Sequence, residues 1–328
     1  MHIAIVGSGA MGTLLGHGFC KGGHEVTMLD LPPRVSQLQS IGHLVVIAED
    51  GSESAAYPAR ITSDYSEPRP HDVVILATKS QDLPGAVQAV TALSDRESTI
   101  VTIQNGIPWW YLQGLPHKYG NKRIHCLDPD GLLDRFIDYS QIVGSVAYPA
   151  AIMEKDGRVR HVEGKLFPVG EADRTVRERT HEVARLFEDG GFKSRVIDDI
   201  HSEIWLKAWG ALSINPISAL TRTTMEEICS FSETRELVAQ MMREAQEVAE
   251  ALGAKFRHTI EKRIEGARAV GAHKTSMLQD VENGLPLELD ALMLAVLELA
   301  ELTGKETPTI RNVYACTSLL NEKLLAMQ

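Results

Sequence analysis

Near the amino terminus three glycines, Gly7, Gly9 and Gly12, stand in the spacing G-x-G-x-x-G within the run Gly7-Ser8-Gly9-Ala10-Met11-Gly12. That spacing carries chemistry. The first glycine permits a sharp turn, the second lets backbone approach a pyrophosphate, and the third lets a helix pack closely on a strand. Asp30 follows at the distance where an acidic side chain accepts hydrogen bonds from an adenosine ribose, and its charge would repel a 2′-phosphate. Its neighbour is Leu31 and not a basic residue, which favours NAD(H). The alternative is NADP(H), with Asp30 only a strand-end turn residue and Arg34 reaching the phosphate.

These residues need elements to hold them. The glycine run follows an apolar, β-rich stretch and opens a helical pattern through Met11, Leu14, Leu15 and Phe19 that stops at Gly22-Gly23. A second strand pattern over 25–30 completes a βαβ unit, because parallel neighbours need a crossover helix. Strand patterns recur at 73–77 and 99–103 around a helical pattern at 83–93. Residues 143–148 and 158–162, with Asp156-Gly157 as a turn signal, read as antiparallel strands closing the same domain. After a strand pattern at 194–197 the remainder is helical, at 200–212, 234–252 and 287–302. The expected fold is α/β: an N-terminal Rossmann-type doubly wound sheet over 1–195, then an all-helical domain over 196–328.

A chain of 328 residues suits two domains, at roughly 100 to 200 residues each. With 44% apolar and 23% charged residues it is an ordinary globular protein. Its 44 acidic against 33 basic side chains give a net charge of −11, which disfavours nucleic acid and anionic membrane surfaces. The apolar stretch 285–302 is broken by Glu288, Asp290, Glu298 and Glu301, so no membrane span is expected. Cys20, Cys126, Cys229 and Cys316 form no C-x-x-C pair and read as buried free thiols. With an amino terminus lacking a basic leader, they make the cytoplasm the expected location. The 12 histidines show no metal-ligand spacing, and no metal is expected.

The chain resembles the ketopantoate reductase (2-dehydropantoate 2-reductase) family over nearly its whole length. The resemblance rests on the glycine run together with Thr78-Lys79-Ser80-Gln81, Gln104-Asn105-Gly106, Trp205-Leu206-Lys207, Ile214-Asn215-Pro216, Ser276-Met277-Leu278-Gln279-Asp280 and Glu288-Leu289-Asp290. It implies a Rossmann domain followed by a helical one, an active site in the cleft between them, and hydride transfer between a nicotinamide and a 2-keto acid, within pantothenate biosynthesis for the family's namesake. By matching, Lys207 is the proton donor to the carbonyl oxygen. Lys79 and Asn105 contact cofactor or substrate, Ser276 helps hold the substrate, and Glu288 closes the site near Lys207. Charge builds on a ketone oxygen as hydride arrives, so a cation that can also deliver a proton suits the step. Ile204, Trp205, Ala208 and Leu212 can form the packed side of the helix, leaving Lys207 toward a cleft. Glu288, read as lying on an apolar helix, would hold the ammonium. Asn215, ahead of a proline that disfavours helical dihedrals, would project from a helix break toward the substrate.

The chain also departs from the family pattern. Four positions after Lys207, where the pattern has asparagine, stands Ala211; a second patterned asparagine falls on Met225, and an asparagine and glycine fall on Met293 and Leu294. An alanine cannot supply an amide's hydrogen bonds, so a small hydroxy or keto acid other than ketopantoate is the expected substrate. Trp109 and Trp110 either wall the substrate entrance or pack a loop. The remaining readings are ketopantoate reductase proper, a β-hydroxyacid dehydrogenase, and a non-catalytic NAD(H) sensor, against which Lys207 and Glu288 argue. The apolar face at 287–302 serves a homodimer or the second core, and the sequence leaves that open.

Overall fold

The computed structural model describes residues 1–67, 69–115, 118–120 and 122–326. They form two compact units. The first comprises Met1–Gln104, Trp110–Asn121 and Gly131–Ile200, the second Asn105–Trp109, Lys122–Asp130 and His201–Gln328. Two short segments from the first half of the chain therefore belong with the helices of the second.

The first unit is built on β1 (His2–Val6), α1 (Ala10–Lys21), β2 (Glu25–Leu29), α2 (Pro32–Ile41), β3 (Leu44–Ile47), β4 (Glu53–Ala56), β5 (Arg60–Thr62), β6 (Val73–Leu76), α3 (Leu83–Leu93) and β7 (Thr99–Thr102). It continues with α4 (Leu132–Phe136), β8 (Ile142–Ser145), β9 (Ala150–Met153), β10 (Val159–Glu163), β11 (Leu166–Glu171), α5 (Glu178–Asp189) and β12 (Lys193–Val196). Eight strands run in the order β12-β11-β8-β7-β6-β1-β2-β5. From β5 to β8 every pairing is parallel, in the doubly wound order expected of a dinucleotide-binding sheet. β11 joins β8 antiparallel and carries β12 parallel to itself. The central strands are apolar without alternation because both faces are covered: all four residues of β6 and of β7 are buried.

The expected pairing of 143–148 with 158–162 does not form. β8 sits in the large sheet, whereas β10 pairs antiparallel with β9 in a separate four-stranded sheet, β4-β3-β10-β9. The turn signal at Asp156-Gly157 therefore serves the β9–β10 hairpin. Phe19 of α1 meets Phe187 and Phe192 edge-on, and Phe167 stacks on Phe187 at 4.6 Å. This aromatic cluster ties α1 to the sheet and to α5, and so sets where the start of α1 points.

The second unit contains α6 (Ile200–Thr221), α7 (Met225–Ser230), α8 (Ser232–Ala251), α9 (Ile260–Ala269), α10 (Ser276–Glu282), a π-helical turn (Asp290–Leu294), α11 (Ala295–Thr303) and α12 (Pro308–Leu325). Two sequence expectations need correction here. α6 runs straight through Pro216 to Thr221, so Asn215 lies within a helix and not at a break. A proline deletes one backbone hydrogen bond, and the burial of nearly every other face of α6 outweighs that loss. Glu288 lies just ahead of the helical segment and not on its face, at an end where a carboxylate complements the helix dipole.

The apolar positions after it, including Leu289, Leu292, Met293, Val296, Leu297 and Leu299, are buried, so that face serves the core of its own unit. The four cysteines are free, as expected, but only Cys229 is buried; Cys20 and Cys126 are half-buried and Cys316 is exposed. Among the described residues, no helix is long and apolar enough to cross a membrane.

Candidate active site

Two groups of residues carry chemistry, one in each unit. In the first, β1 hands the chain to α1 through the glycine turn. Gly7 has φ +97°, and a side chain there would collide with the backbone of Ala77 and Thr78 at the end of β6. β1 and β6 are neighbours at the point where the strand order reverses, and such sheets bind ligands there. A Cβ on Gly12 would fall 1.9 Å from the Gly7 carbonyl oxygen. Gly9 is different: a Cβ would meet nothing within 4 Å. Open space over Gly9 and the absence of both a side-chain cap and an acid in the first turn of α1 leave its N–H groups for an anion. The turn fits the pyrophosphate of a dinucleotide.

Of the six loop residues, Gly9 is exposed and Ala10 and Met11 are half-buried, whereas Gly7, Ser8 and Gly12 are buried. Ser8 faces inward. Its N–H and its Oγ both donate to Asp30 Oδ2, at 2.5 and 2.7 Å, so Ser8 and Asp30 brace one another. Asp30 Oδ1 accepts from the N–H of Leu31. Arg34, the alternative phosphate ligand, donates through Nε to the Ser8 carbonyl and through Nη1 to Gln37. Lys79 lies just beyond β6, at the start of a short turn leading into α3.

In the second unit α6 is buried on almost every side. The half-buried positions along its middle are Lys207, Ala211 and Asn215, spaced by four and hence on one stripe. Lys207 Nζ donates to Asn105 Oδ1, and Asn105 Nδ2 donates to Glu288 Oε2 at 3.4 Å. The fold thus brings together Lys207, Asn105 and Glu288 from three separate stretches of chain. Burial lowers the Lys207 pKa to about 8, against an opposing pull from the Glu288 carboxylate. An ammonium that titrates near neutrality can give a proton and take it back.

The Asn215 side chain makes no hydrogen bond among the described residues, so its amide is open on the same stripe. Ser276 is the exposed first residue of α10, capped by Thr275, and no hydrogen bond among the described residues joins it to Lys207. Trp109 and Trp110 are 4% and 0% exposed, and Trp110 Nε1 donates to Thr102 Oγ1, so they pack a loop and do not line an entrance. The sequence marks Gly106 only as part of the Gln104-Asn105-Gly106 motif and leaves Ile107 and Ala291 unmarked. Gly106 has φ +80° and lies against the backbone of Ala291, and the Ile107 N–H donates to the Ala291 carbonyl at 2.8 Å. The Asn-Gly dipeptide signals the positive φ; nothing in the sequence signals the partner.

A dinucleotide-type sheet with this turn, and a helical unit bearing a half-buried lysine, agree with the class its relatives share, a nicotinamide-dependent oxidoreductase acting between a CH–OH group and a ketone. Residues 3–174 match the family model described as Ketopantoate reductase PanE/ApbA, and residues 199–321 match its C-terminal counterpart. The chain belongs to the ketopantoate reductase family. It is 42% identical over 316 residues to a 2-dehydropantoate 2-reductase of Mesorhizobium japonicum, covering 96% of each chain. A provisionally assigned ketopantoate reductase from Ralstonia solanacearum MolK2 superposes with a TM-score of 0.92 at 29% identity, over 98% of both chains. D-mandelate dehydrogenase, solved with NADH and anilino(oxo)acetate, has the same fold, with a TM-score of 0.84 at 22% identity over 99% of both.

Proposed function

We propose that the chain is an NAD-linked dehydrogenase of a small 2-hydroxy acid, or equally a reductase of the matching 2-keto acid, with a substrate other than ketopantoate and Lys207 as proton donor or acceptor. The observation that carries this reading is the half-buried Lys207–Asn105–Glu288 group, with Ala211 one helical turn beyond Lys207 in place of an amide. Gly7, Ser8, Gly9, Ala10, Met11 and Gly12 form the turn that holds the dinucleotide, with Asp30 at the ribose and Lys79 toward its reactive end. The nicotinamide, when bound, supplies or accepts the hydride.

The chain's own residues handle charge and protons. Negative charge grows on the substrate oxygen during reduction, and protonated Lys207 neutralises it by giving up the proton from Nζ. Glu288 keeps the ammonium charged despite its burial. Asn105 orients Nζ by accepting from it. In the oxidative direction neutral Lys207 takes the hydroxyl proton. Asn215 offers an amide along the stripe, and Ser276 a hydroxyl, to the polar groups of the acid.

The preference for NAD(H) rests on Asp30, whose carboxylate would face a 2′-phosphate, and on Arg34, whose donors are directed to Ser8 and Gln37. The second reading is ketopantoate itself, favoured by the name of the Mesorhizobium japonicum relative at 42% identity.

The test is the initial rate with ketopantoate and a panel of 2-keto acids bearing alkyl and aryl groups, each with NADH and with NADPH. The proposal expects a higher kcat/KM with NADH, and with a keto acid lacking the ketopantoate hydroxyl. Efficient ketopantoate reduction with NADPH would overturn it in favour of the second reading.

A further inference from the structure

Residues Asp290–Leu294 are wound as a π-helix, a turn with one extra residue that costs stability relative to an α-helix and recurs at functional sites. Its effect here is specific. The N–H of Ala295 donates to the carbonyl of Asp290, five residues back, and not to that of Ala291, four residues back. The Ala291 carbonyl accepts instead from the N–H of Ile107, at 2.8 Å. Close approach at that point requires a residue without a side chain. Gly106 fills it, with φ +80°, and a Cβ there would lie 2.3 Å from the Ala291 oxygen and 2.5 Å from its carbonyl carbon. The obstruction is backbone, which cannot swing aside as a side chain would. One residue before Gly106 stands Asn105, whose amide accepts from Lys207 and donates to Glu288.

We infer that the π-turn and Gly106 form a clamp that sets Asn105 between Lys207 and Glu288, making Gly106, Ile107 and Ala291 positioning residues for the proton transfer. The inference rests on the proposed role of Lys207 and deepens it. Two unusual local features meet at one hydrogen bond: a helical register that releases a carbonyl, and a glycine that admits it. Neither stabilises the helix alone. The clamp docks the 105–107 segment on the same stretch of chain that carries Glu288, so the amide and the carboxylate move as one piece. Lys207 then meets an acceptor held at fixed height instead of a loop side chain free to turn to solvent.

The test is a double-mutant cycle in the full chain: wild type, Asn105→Ala, Gly106→Ala and the double variant. Each is assayed for keto acid reduction, and each is titrated by the ¹³Cε resonance of Lys207, assigned with Lys207→Arg. The clamp predicts that Gly106→Ala loses about as much kcat as Asn105→Ala, that the double variant loses little more than the worse single one, and that both singles lower the Lys207 titration midpoint, since each removes an acceptor that favours the ammonium. A Gly106→Ala variant that folds and keeps kcat within about twofold of wild type overturns the inference, as does a double variant whose loss is the product of the two singles.

Should Gly106→Ala fail to fold, replacing Ile107 with its α-hydroxy analogue removes the N–H donor and leaves every side chain in place; kcat is expected to fall about two- to tenfold, and unchanged kcat rejects the clamp. If wild type turns over no keto acid, the functional reading fails by itself. The Lys207 titration then still decides the clamp, by moving or not moving in Gly106→Ala.

Discussion

The glycine turn after β1 and the lysine stripe on α6 manage charge by opposite means. The turn uses no charged side chain in the first turn of α1: it works through what is absent, with Gly7 and Gly12 in contact where a Cβ would collide and Gly9 open to a ligand. The stripe works through one functional group, an amine whose proton affinity is set by burial and by Glu288. A site made of missing atoms is intolerant of addition and indifferent to pH. A site made of one titrating group is intolerant of truncation and tunable by its neighbours.

Truncation of the stripe should give the largest effect. Lys207→Ala is expected to cut kcat about 10²- to 10⁴-fold, the usual range for losing an acid catalyst, while NADH binding by calorimetry stays near wild type. A variant keeping more than about a tenth of its activity would take the lysine out of the proton transfer. Addition to the turn comes next. Gly12→Ala puts a carbon 1.9 Å from the Gly7 oxygen, so NADH affinity should drop by about tenfold or more. The Lys207 titration should not move, and if it did the two sites would not be separable as argued.

Smaller still is a change of pH dependence. With Lys207 as the proposed proton donor, reduction requires its protonated form, so kcat/KM should hold at low pH and fall as pH rises through about 8, while oxidation should rise through the same range. Glu288→Gln removes the attraction that supports the ammonium, so both limbs should move to lower pH. Limbs that stay where they were would mean that Glu288 does not sense the lysine's charge.

The two regions also differ in how far the sequence discloses them. The glycine turn is legible because sharp backbone and close contact allow one residue type at fixed spacing, directly between a strand and a helix. The doubly wound order follows from apolar strands alternating with helices. Lys207, Asn105 and Glu288 have no such signature: the latter two stand 183 positions apart, and nothing in periodicity joins them. Only the family motifs single them out.

Three features were misread or hidden for physical reasons. Pro216 reads as a helix end, yet the burial of α6 sustains the helix past it. The small sheet is made of strands of four or five residues, three of them, β3, β4 and β9, with no fully alternating pattern, so its pairing of β3 with β10 is a long-range event. The π-turn has no composition of its own, since its register is fixed by where the Ala291 carbonyl must point.

The smallest predicted effect probes what the stripe selects and not whether it works. Ala211 lies one helical turn from Lys207 and one from Asn215, half-buried between the amine and the amide. Ala211→Asn would add a donor and an acceptor at that level without touching either neighbour's backbone. A keto acid carrying a hydroxyl could then make one more hydrogen bond, worth about 0.5 to 1.5 kcal/mol, while an alkyl or aryl keto acid would have to leave the new amide unpaired. The ratio of kcat/KM for ketopantoate over such a keto acid should therefore rise by about two- to tenfold. The change should appear mainly in KM, because the added group touches the substrate's tail and not the reacting oxygen. A ratio that does not rise would mean that position 211 does not meet the substrate, and selection along α6 would then have to lie with Asn215.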